Sequence, residues 1–284
     1  VVDTMPAEIT GYADVVLPEC TYLERYDDLR NKAERVPTLA LRMPAFEPRY
    51  ESRPSWWIAK GIAERLGLAE FFPWQDYREV LDWQLRQVGS SLVEMEQIGV
   101  KRFARKTAPY FADGAPVRFN TPSGKIELYS RLLQDTGQDP LPRYTPPDRP
   151  PEGFYHLNYG RAPAHTFGRT VNNPQLFELM PENQVWVHPS AAARIGVQSG
   201  DYVQLENPLG VRSNRIRVRV TQRIRPDSVF MVHGFGHTDQ RQRLARGVGA
   251  DDAALMHNVK LDPVMGGTGM RASFVRLVRG DEVS

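Results

Sequence analysis

Polar side chains crowd a segment rich in glycine and proline between Tyr159 and Asn173. The segment follows a short apolar run and carries arginine, histidine, threonine and asparagine. These residue types supply planar charge-assisted donors and amide groups. The pattern is typical of a loop that contacts a ligand. A solvated surface loop is the alternative, because polar loops of this composition are common.

Two further segments carry residues that could do chemistry. His233 and His237 lie in a glycine-broken run after the apolar residues Val229–Val232, and the glycines would let backbone amides approach a ligand closely. No carboxylate lies at ligand spacing from the two histidines, so we predict no metal ligand there. In the third segment, a buried Asn258 would bond a ring edge through both amide atoms, or would close an Asx turn instead.

Composition limits the function classes. The chain of 284 residues has a formal net charge of +2, which is too small to indicate nucleic-acid binding. The single cysteine, Cys20, excludes a disulfide framework and a cysteine-ligated zinc or iron–sulfur site within this sequence. No apolar run reaches the roughly 18 to 20 residues that a membrane-spanning helix needs.

A proline-rich run between Asp139 and Pro151 divides the sequence into two predicted domains, residues 1–150 and 151–284. In the first domain, the apolar run Ala13–Pro18 predicts a strand of an α/β unit. Two amphipathic helices and a hairpin complete it. They are predicted over 53–68, where Trp57, Ile58, Ile62 and Leu66 share a face, over 74–88, and over 117–129 with a turn at Thr121–Gly124.

The second domain is predicted to be a compact barrel of six or seven strands that positions the polar loops at its strand ends. Short apolar or alternating runs, broken by glycine and proline, predict strands over 154–158, 185–187, 202–206, 215–220 and 229–232. One short helix is predicted over Pro189–Gly196, because glycine ends it.

Segments in both domains resemble a known family. Residues 188–203, followed by Asn-Pro-Leu-Gly at 207–210, resemble the C-terminal cofactor-binding domain of molybdopterin oxidoreductases of the dimethyl-sulfoxide-reductase type. The run Ala13–Glu19 resembles the strand end that closes the family's third domain, and Thr21–Asp28 is similar to the catalytic subunits of polysulfide and thiosulfate reductases. The resemblance implies a mixed fold, in which an α/β remnant with helices precedes a double-psi β-barrel, the molybdopterin dinucleotide-binding domain.

The resemblance also implies site residues. It places cofactor contacts in the three polar loops, at Gly160, Arg161, His165, Thr170, Asn172, Asn173, His233, Gly234 and Asn258, and no metal ligand in this sequence. Arg25 and Tyr26 are expected in the substrate funnel, where they would steer a sulfur oxyanion or a polysulfide dianion. An ion pair with neighbouring residues is the alternative role for Arg25.

The implied activity is reduction of polysulfide or thiosulfate at molybdenum, or tungsten, held by molybdopterin guanine dinucleotide. Because the sequence begins inside an α/β unit, we expect a missing N-terminal part that carries a [4Fe–4S] cluster, without which this chain alone is inactive. The resemblance further implies an iron–sulfur electron-transfer subunit, a membrane-anchor subunit and a periplasmic location on the outer face of the cytoplasmic membrane. The alternatives are a related tetrathionate, arsenate, nitrate or formate enzyme, and a non-catalytic double-psi barrel that binds a partner.

Overall fold

The computed structural model describes residues 1–32, 36–104, 119–141, 143–144, 146–262, 264–269 and 272–279. The chain forms two compact units. The first comprises Val1–Met5 and Ala13–Ile126, and the second comprises Pro6–Tyr12 and Glu127–Ser284. The main division therefore falls ahead of the proline-rich run at which the sequence places a domain boundary. None of the helices in the described ranges is long and apolar enough to cross a bilayer.

The described residues of the first unit form short strands and three α-helices. Strands β1 (Val2–Asp3) and β2 (Leu17–Pro18) pair in parallel, and β3 (Arg30–Lys32), β4 (Thr38–Ala40) and β5 (Val100–Arg102) form an antiparallel sheet in that order. The helices are α1 (Ser55–Arg65), α2 (Tyr77–Arg86) and α3 (Leu92–Ile98). The side chains of Asp76 and Ser91 accept backbone N–H groups at the starts of α2 and α3. Short polar side chains commonly cap helices in this way.

The first predicted helix is confirmed as α1, but most of its predicted apolar face is exposed rather than buried. Ile58 is buried, whereas Trp57, Ile62 and Leu66 are 55%, 46% and 68% exposed. Helical spacing determines which residues share a face, but not whether another element covers that face. The second predicted helix is confirmed as α2, which has Leu81 buried in a small apolar core.

Only the turn of the predicted hairpin forms within the described residues. The Gly124 N–H donates to the Thr121 carbonyl at 2.9 Å, and Gly124 has a φ of +67°. Val117 and Arg118, in the first predicted strand, lie outside the described residues. The predicted strand at 126–128 is wrong, because Ile126 is exposed and no strand is present there. A three-residue apolar pattern becomes a strand only where a partner strand pairs with it.

The second unit contains a closed barrel of six strands, which confirms the predicted barrel. Its elements in chain order are α4 (Arg131–Asp135), β6 (Tyr155–Gly160), α5 (Pro174–Leu179), β7 (Gln184–Val187), α6 (Pro189–Ile195), β8 (Tyr202–Glu206), β9 (Ile216–Val220), β10 (Ser228–Val232), β11 (Lys260–Leu261), β12 (Thr268–Gly269) and β13 (Phe274–Arg279). The order around the barrel is β10, β6, β13, β8, β9, β7, and β11 pairs with β12 outside it. The neighbours β6 and β10 are parallel, as are β7 and β9, and the remaining neighbours are antiparallel.

The barrel closes because alternate strand residues point inward into one apolar core. Each buried aliphatic side chain contributes about 1.5 to 3 kcal/mol relative to exposure to water. The inward residues include Leu157, Val185, Val187, Val203, Leu205, Ile216, Val218, Val229, Met231 and Val275. The predicted helix is confirmed as α6, which ends at Gly196 in the left-handed conformation with a φ of +72°.

Candidate functional site

Two of the three predicted polar loops leave the barrel at the same end. Strands β6 and β10 are parallel neighbours, and Gly160 lies in register with Val232. The loops that begin at Arg161 and His233 therefore start side by side. The backbone N–H of His233 donates to the carbonyl of Gly160 at 3.0 Å, which fixes the two loop starts together.

Phe167 lies between the side chains of Arg161 and His233 in this loop pair. The Arg161 guanidinium lies 4.6 Å from the centroid of the Phe167 ring, and the His233 ring meets the same ring edge-on at 4.6 Å. Phe167 has a φ of +54° and is 42% exposed. A bulky residue in the left-handed region is strained and is typically found at functional sites. Sequence reasoning did not select Phe167, because no residue pattern reveals a positive φ at a phenylalanine.

Gly234 is required by the close packing of the two loops. It has a φ of +90°, and a Cβ atom there would lie 2.5 Å from the backbone nitrogen of Gly168. Its N–H donates to Oδ1 of Asp252 at 3.3 Å, so this amide already has a partner within the protein. Direct ligand contact by Gly234 stays a prediction.

Asp252 is a buried carboxyl group beside the loop pair, and sequence reasoning missed it. It is 3% exposed. Burial raises the pKa of Asp252, and the nearby His233 opposes that rise. A buried carboxyl without a full counter-charge costs stability, and such groups often lie at functional sites. An acidic residue in a polar stretch carries no sequence signal of burial.

His165 and Thr170 shape the first loop through hydrogen bonds within it. His165 is 4% exposed, and its Nε2 lies 2.8 Å from the Met180 carbonyl oxygen. Its Nδ1 lies 3.3 Å from Oγ1 of Thr170, and that hydroxyl accepts the Thr166 N–H at 2.8 Å. The two side chains are therefore largely occupied by the loop itself, and their contact with a ligand stays a prediction.

Asn172 and Asn173 also hold neighbouring backbone. Oδ1 of Asn172 accepts the Leu244 N–H at 2.9 Å, which joins the first loop to the second. Oδ1 of Asn173 accepts the Leu176 N–H at 3.1 Å and caps α5, in which Pro174 is the first residue. Among the described residues, neither side-chain NH₂ group has a hydrogen-bond partner, and a ligand role for either residue stays a prediction.

The third predicted loop offers polar atoms without partners. Within the described residues, the half-buried side chain of Asn258 makes no hydrogen bond. Nδ1 of His257 is buried and has no hydrogen-bond partner there either. The His257 ring lies 6.0 Å from that of Phe274 at the start of β13, and its backbone N–H donates to Oγ of Ser273 at 3.3 Å. A buried polar atom without a partner costs about 1 to 3 kcal/mol, so Nδ1 of His257 is suited to a ligand, and the half-buried amide of Asn258 lies next to it in the chain.

Arg25 and Tyr26 lie in the first unit and line a cavity of about 1050 Å³ within it. The Arg25 guanidinium forms ion pairs with Glu19 and, at 2.9 Å, with Asp27. The Tyr26 hydroxyl donates to Oε1 of Glu96 at 2.6 Å, and burial together with this bond raises its pKa. Since two carboxylates balance the charge of Arg25, the expected ion-pair role is present. A role in steering an anionic substrate stays a prediction.

Comparison with known proteins relates both units to one group of enzymes. Residues 155–273 match the molydopterin dinucleotide binding domain, and residues 2–65 match the molybdopterin oxidoreductase family. The chain is 37% identical to the thiosulfate reductase molybdopterin-containing subunit PhsA of Salmonella typhimurium, over 90% of this chain and 35% of that protein. It is 28% identical to a nitrate reductase of Symbiobacterium thermophilum, over 86% of this chain and 34% of that protein.

A solved structure shares the fold. Acetylene hydratase from Pelobacter acetylenicus superposes with a TM-score of 0.75 at 23% sequence identity, covering 93% of this chain and 38% of the other. The chain spans about a third of the length of the curated relatives it matches. The matched binding domain contains the loop pair and the unpartnered atoms of His257 and Asn258. These groups fit a ligand with hydrogen-bonding ring edges and negative charge.

Proposed function

The chain belongs to the molybdopterin oxidoreductase family, and from that premise we propose that it is part of an enzyme that reduces polysulfide or thiosulfate. The observation that carries this proposal is the 37% identity to a thiosulfate reductase subunit over 90% of this chain. The proposed cofactor is molybdopterin guanine dinucleotide with molybdenum, and tungsten is the alternative metal. When bound, the cofactor supplies two-electron redox chemistry at its metal.

The residues of this chain would hold and shape the cofactor site. Arg161 would offer charge-assisted donors to anionic groups, and His233, on the other side of Phe167, would offer a ring nitrogen. Nδ1 of His257 and the amide of Asn258 would take the hydrogen bonds of a ring edge. The remaining predicted contacts would keep the loops in the conformation that presents these groups; they are Gly160, His165, Thr170, Asn172, Asn173 and Gly234.

The proposal includes parts of the enzyme beyond this chain. A [4Fe–4S] cluster would lie in the remainder of the same protein, because this sequence has one cysteine. An iron–sulfur electron-transfer subunit and a membrane-anchor subunit would deliver electrons, with the enzyme periplasmic, on the outer face of the cytoplasmic membrane. The PhsA relative is a molybdopterin-containing subunit of thiosulfate reductase, and this supports a multi-subunit enzyme.

The substrate is tested on the whole protein purified with its cofactor. Reduced methyl viologen supplies electrons, and thiosulfate, polysulfide, tetrathionate, nitrate and dimethyl sulfoxide are offered in parallel. We expect the highest kcat/KM for thiosulfate or polysulfide. A higher value for nitrate would contradict the sulfur-compound proposal and favour the second candidate, a nitrate reductase, to which the chain is 28% identical.

The cofactor role of Asn258 is tested separately from the substrate. Asn258→Ala in the whole protein should lower molybdenum and pterin content, because losing one hydrogen bond to the cofactor costs about 1 to 3 kcal/mol, or roughly 5- to 150-fold in affinity. Asn214→Ala is the matched control, since Asn214 is exposed and its side chain has no partner among the described residues. Equal cofactor content in the two variants would show that Asn258 does not bind the cofactor, and would favour the alternative in which its side chain closes an Asx turn.

A further inference from the structure

Three arginines follow one another along the outer face of the barrel. Arg217 and Arg219 alternate in β9 with inward-facing residues of the core, and the exposed Arg215 precedes them at the same two-residue spacing. Strand β9 lies between β7 and β8 in the closed barrel. Strand β9 therefore has no free edge, so its charged side chains are not needed to prevent aggregation through an exposed strand edge.

Aromatic rings lie beneath all three guanidinium groups. Arg215 and Arg217 lie 5.0 Å and 5.4 Å from the centroid of Tyr202, and Arg219 lies 4.9 Å from the centroid of Trp186. Tyr202 lies opposite Arg217 on β8, and Trp186 lies opposite Arg219 on β7, so the strand register produces the stacking. We call these five residues the arginine ladder.

The charge of the ladder is only partly balanced. Glu182 pairs with Arg217 at 2.9 Å, and the same guanidinium donates to the Tyr202 hydroxyl at 3.0 Å. In the described part of the chain, no carboxylate pairs with Arg215 or Arg219. Like charges on neighbouring outward positions of a sheet repel and lower stability. The barrel alone gains nothing from this repulsion, which a negatively charged partner would remove.

We propose that the arginine ladder is a docking surface for an acidic protein, one that presents aspartate or glutamate side chains to it. A guanidinium stacked on a ring keeps its edge N–H donors free, and these pair with a carboxylate through two parallel hydrogen bonds. Stacking also restricts the arginine side chains before binding, which lowers the entropy cost of ordering them. Arginine and aromatic residues are both enriched at protein interfaces.

A protein partner fits the ladder better than an anionic membrane does. Proteins that lie on membranes typically insert the apolar face of an amphipathic helix between the lipids. The ladder lies instead on a barrel strand whose apolar residues, Ile216 and Val218, are buried in the core.

Binding of the chain to a fluorescein-labelled polyglutamate peptide, followed by fluorescence anisotropy at low ionic strength, tests the proposal. The double variant Arg215→Gln/Arg219→Gln should weaken binding by about fivefold or more, since each exposed charge pair contributes modestly. The matched control is Arg131→Gln/Arg149→Gln, which removes the same charge from two exposed arginines that stack on no aromatic ring of the described residues. We expect a loss of less than about twofold in the control, and weaker binding of the wild type as salt is added.

A conservative variant and a lipid probe complete the test. Arg215→Lys/Arg219→Lys keeps both charges but loses the planar fork, so its affinity should lie between those of the wild type and the glutamine variant. Circular dichroism and thermal unfolding check that every variant folds. Equal losses in the glutamine variant and its control would overturn the proposal, as would wild-type affinity of the lysine variant. It would also be overturned if phosphatidylglycerol vesicles bound in a ladder-dependent manner while the peptide did not.

Discussion

Glu8 should anchor the segment Pro6–Tyr12 to the rest of the second unit. Its carboxylate accepts the backbone N–H of Thr238 at 3.0 and 3.1 Å, the N–H of Asp239 at 3.4 Å and the side-chain amide of Gln242 at 3.0 Å. The Thr238 hydroxyl donates to it as well. The replacement Glu8→Ala removes all these acceptors at once, and the expected result is a loosened segment.

The expected loss of stability in Glu8→Ala depends on which of these donors water can hydrate once the carboxylate is gone. Gln242 is fully buried, so its amide would lose one of its two partners and keep only Nδ1 of His237, at 3.1 Å. Thr238 is exposed and its N–H can be hydrated. Leaving one buried donor unpaired costs about 1 to 3 kcal/mol, so Glu8→Ala should lower the free energy of unfolding by about 2 kcal/mol. Glu8→Gln keeps one oxygen acceptor and should cost about 1 kcal/mol.

The anchor should also depend on pH. Burial pushes the pKa of Glu8 upward, but hydrogen bonds from Thr238 and Asp239 outweigh burial and hold it below the ordinary value of 4.5. A carboxyl group with a lowered pKa contributes stability that is present above pH 4.5 and is lost as the pH falls through the lower folded-state pKa. Glu8→Gln cannot titrate, so this part of the acid dependence should disappear in that variant.

Urea unfolding and hydrogen exchange of the chain measure the effect. Amides of residues 6–12 and 237–242 should exchange faster in Glu8→Ala than in the wild type. Glu178→Ala is the control, because Glu178 is exposed on α5 and its side chain has no partner among the described residues. Unchanged exchange protection of both segments in Glu8→Ala, together with an unfolding free energy equal to that of the control, would refute the conclusion that Glu8 anchors Pro6–Tyr12.

Three other replacements in the second unit test the loop packing by urea unfolding. Asp252→Asn should raise the free energy of unfolding by about 1 kcal/mol at pH 7, because burial raises the pKa of Asp252 and disfavours its charged form. This gain should vanish below pH 3.8, the ordinary pKa of the carboxyl, where the group is protonated in both states. Asn173→Ala should cost about 1 kcal/mol by removing the cap of α5, whereas Asn173→Ser should keep most of it. Gly234→Ala should cost more than about 3 kcal/mol, and Gly247→Ala, whose φ is +70° with open space around it, about 1 kcal/mol. An equal cost at the two glycines would contradict the close approach of the loops.

The sequence alone determined those elements whose signals lie within a few residues. Alternating residues predicted the strands that became β6 to β10, because an inward side chain every second residue is a local property of a strand. Gly196 marked the end of α6, because glycine adopts at no steric cost the left-handed conformation in which helices commonly end. The last strand, β13, was not predicted, since its burial pattern is two buried residues followed by one exposed residue rather than a simple alternation.

The tertiary structure alone decided which of these segments meet and which polar groups are used. The parallel pairing of β6 with β10 brings Arg161 and His233 together, although 72 positions separate them. The burial of Asp252 and the bonds of Glu8 to Thr238, across 230 positions, have no local signal. Spacing within one element reports which residues share its face, but pairing, burial and hydrogen bonding depend on what other elements cover that face.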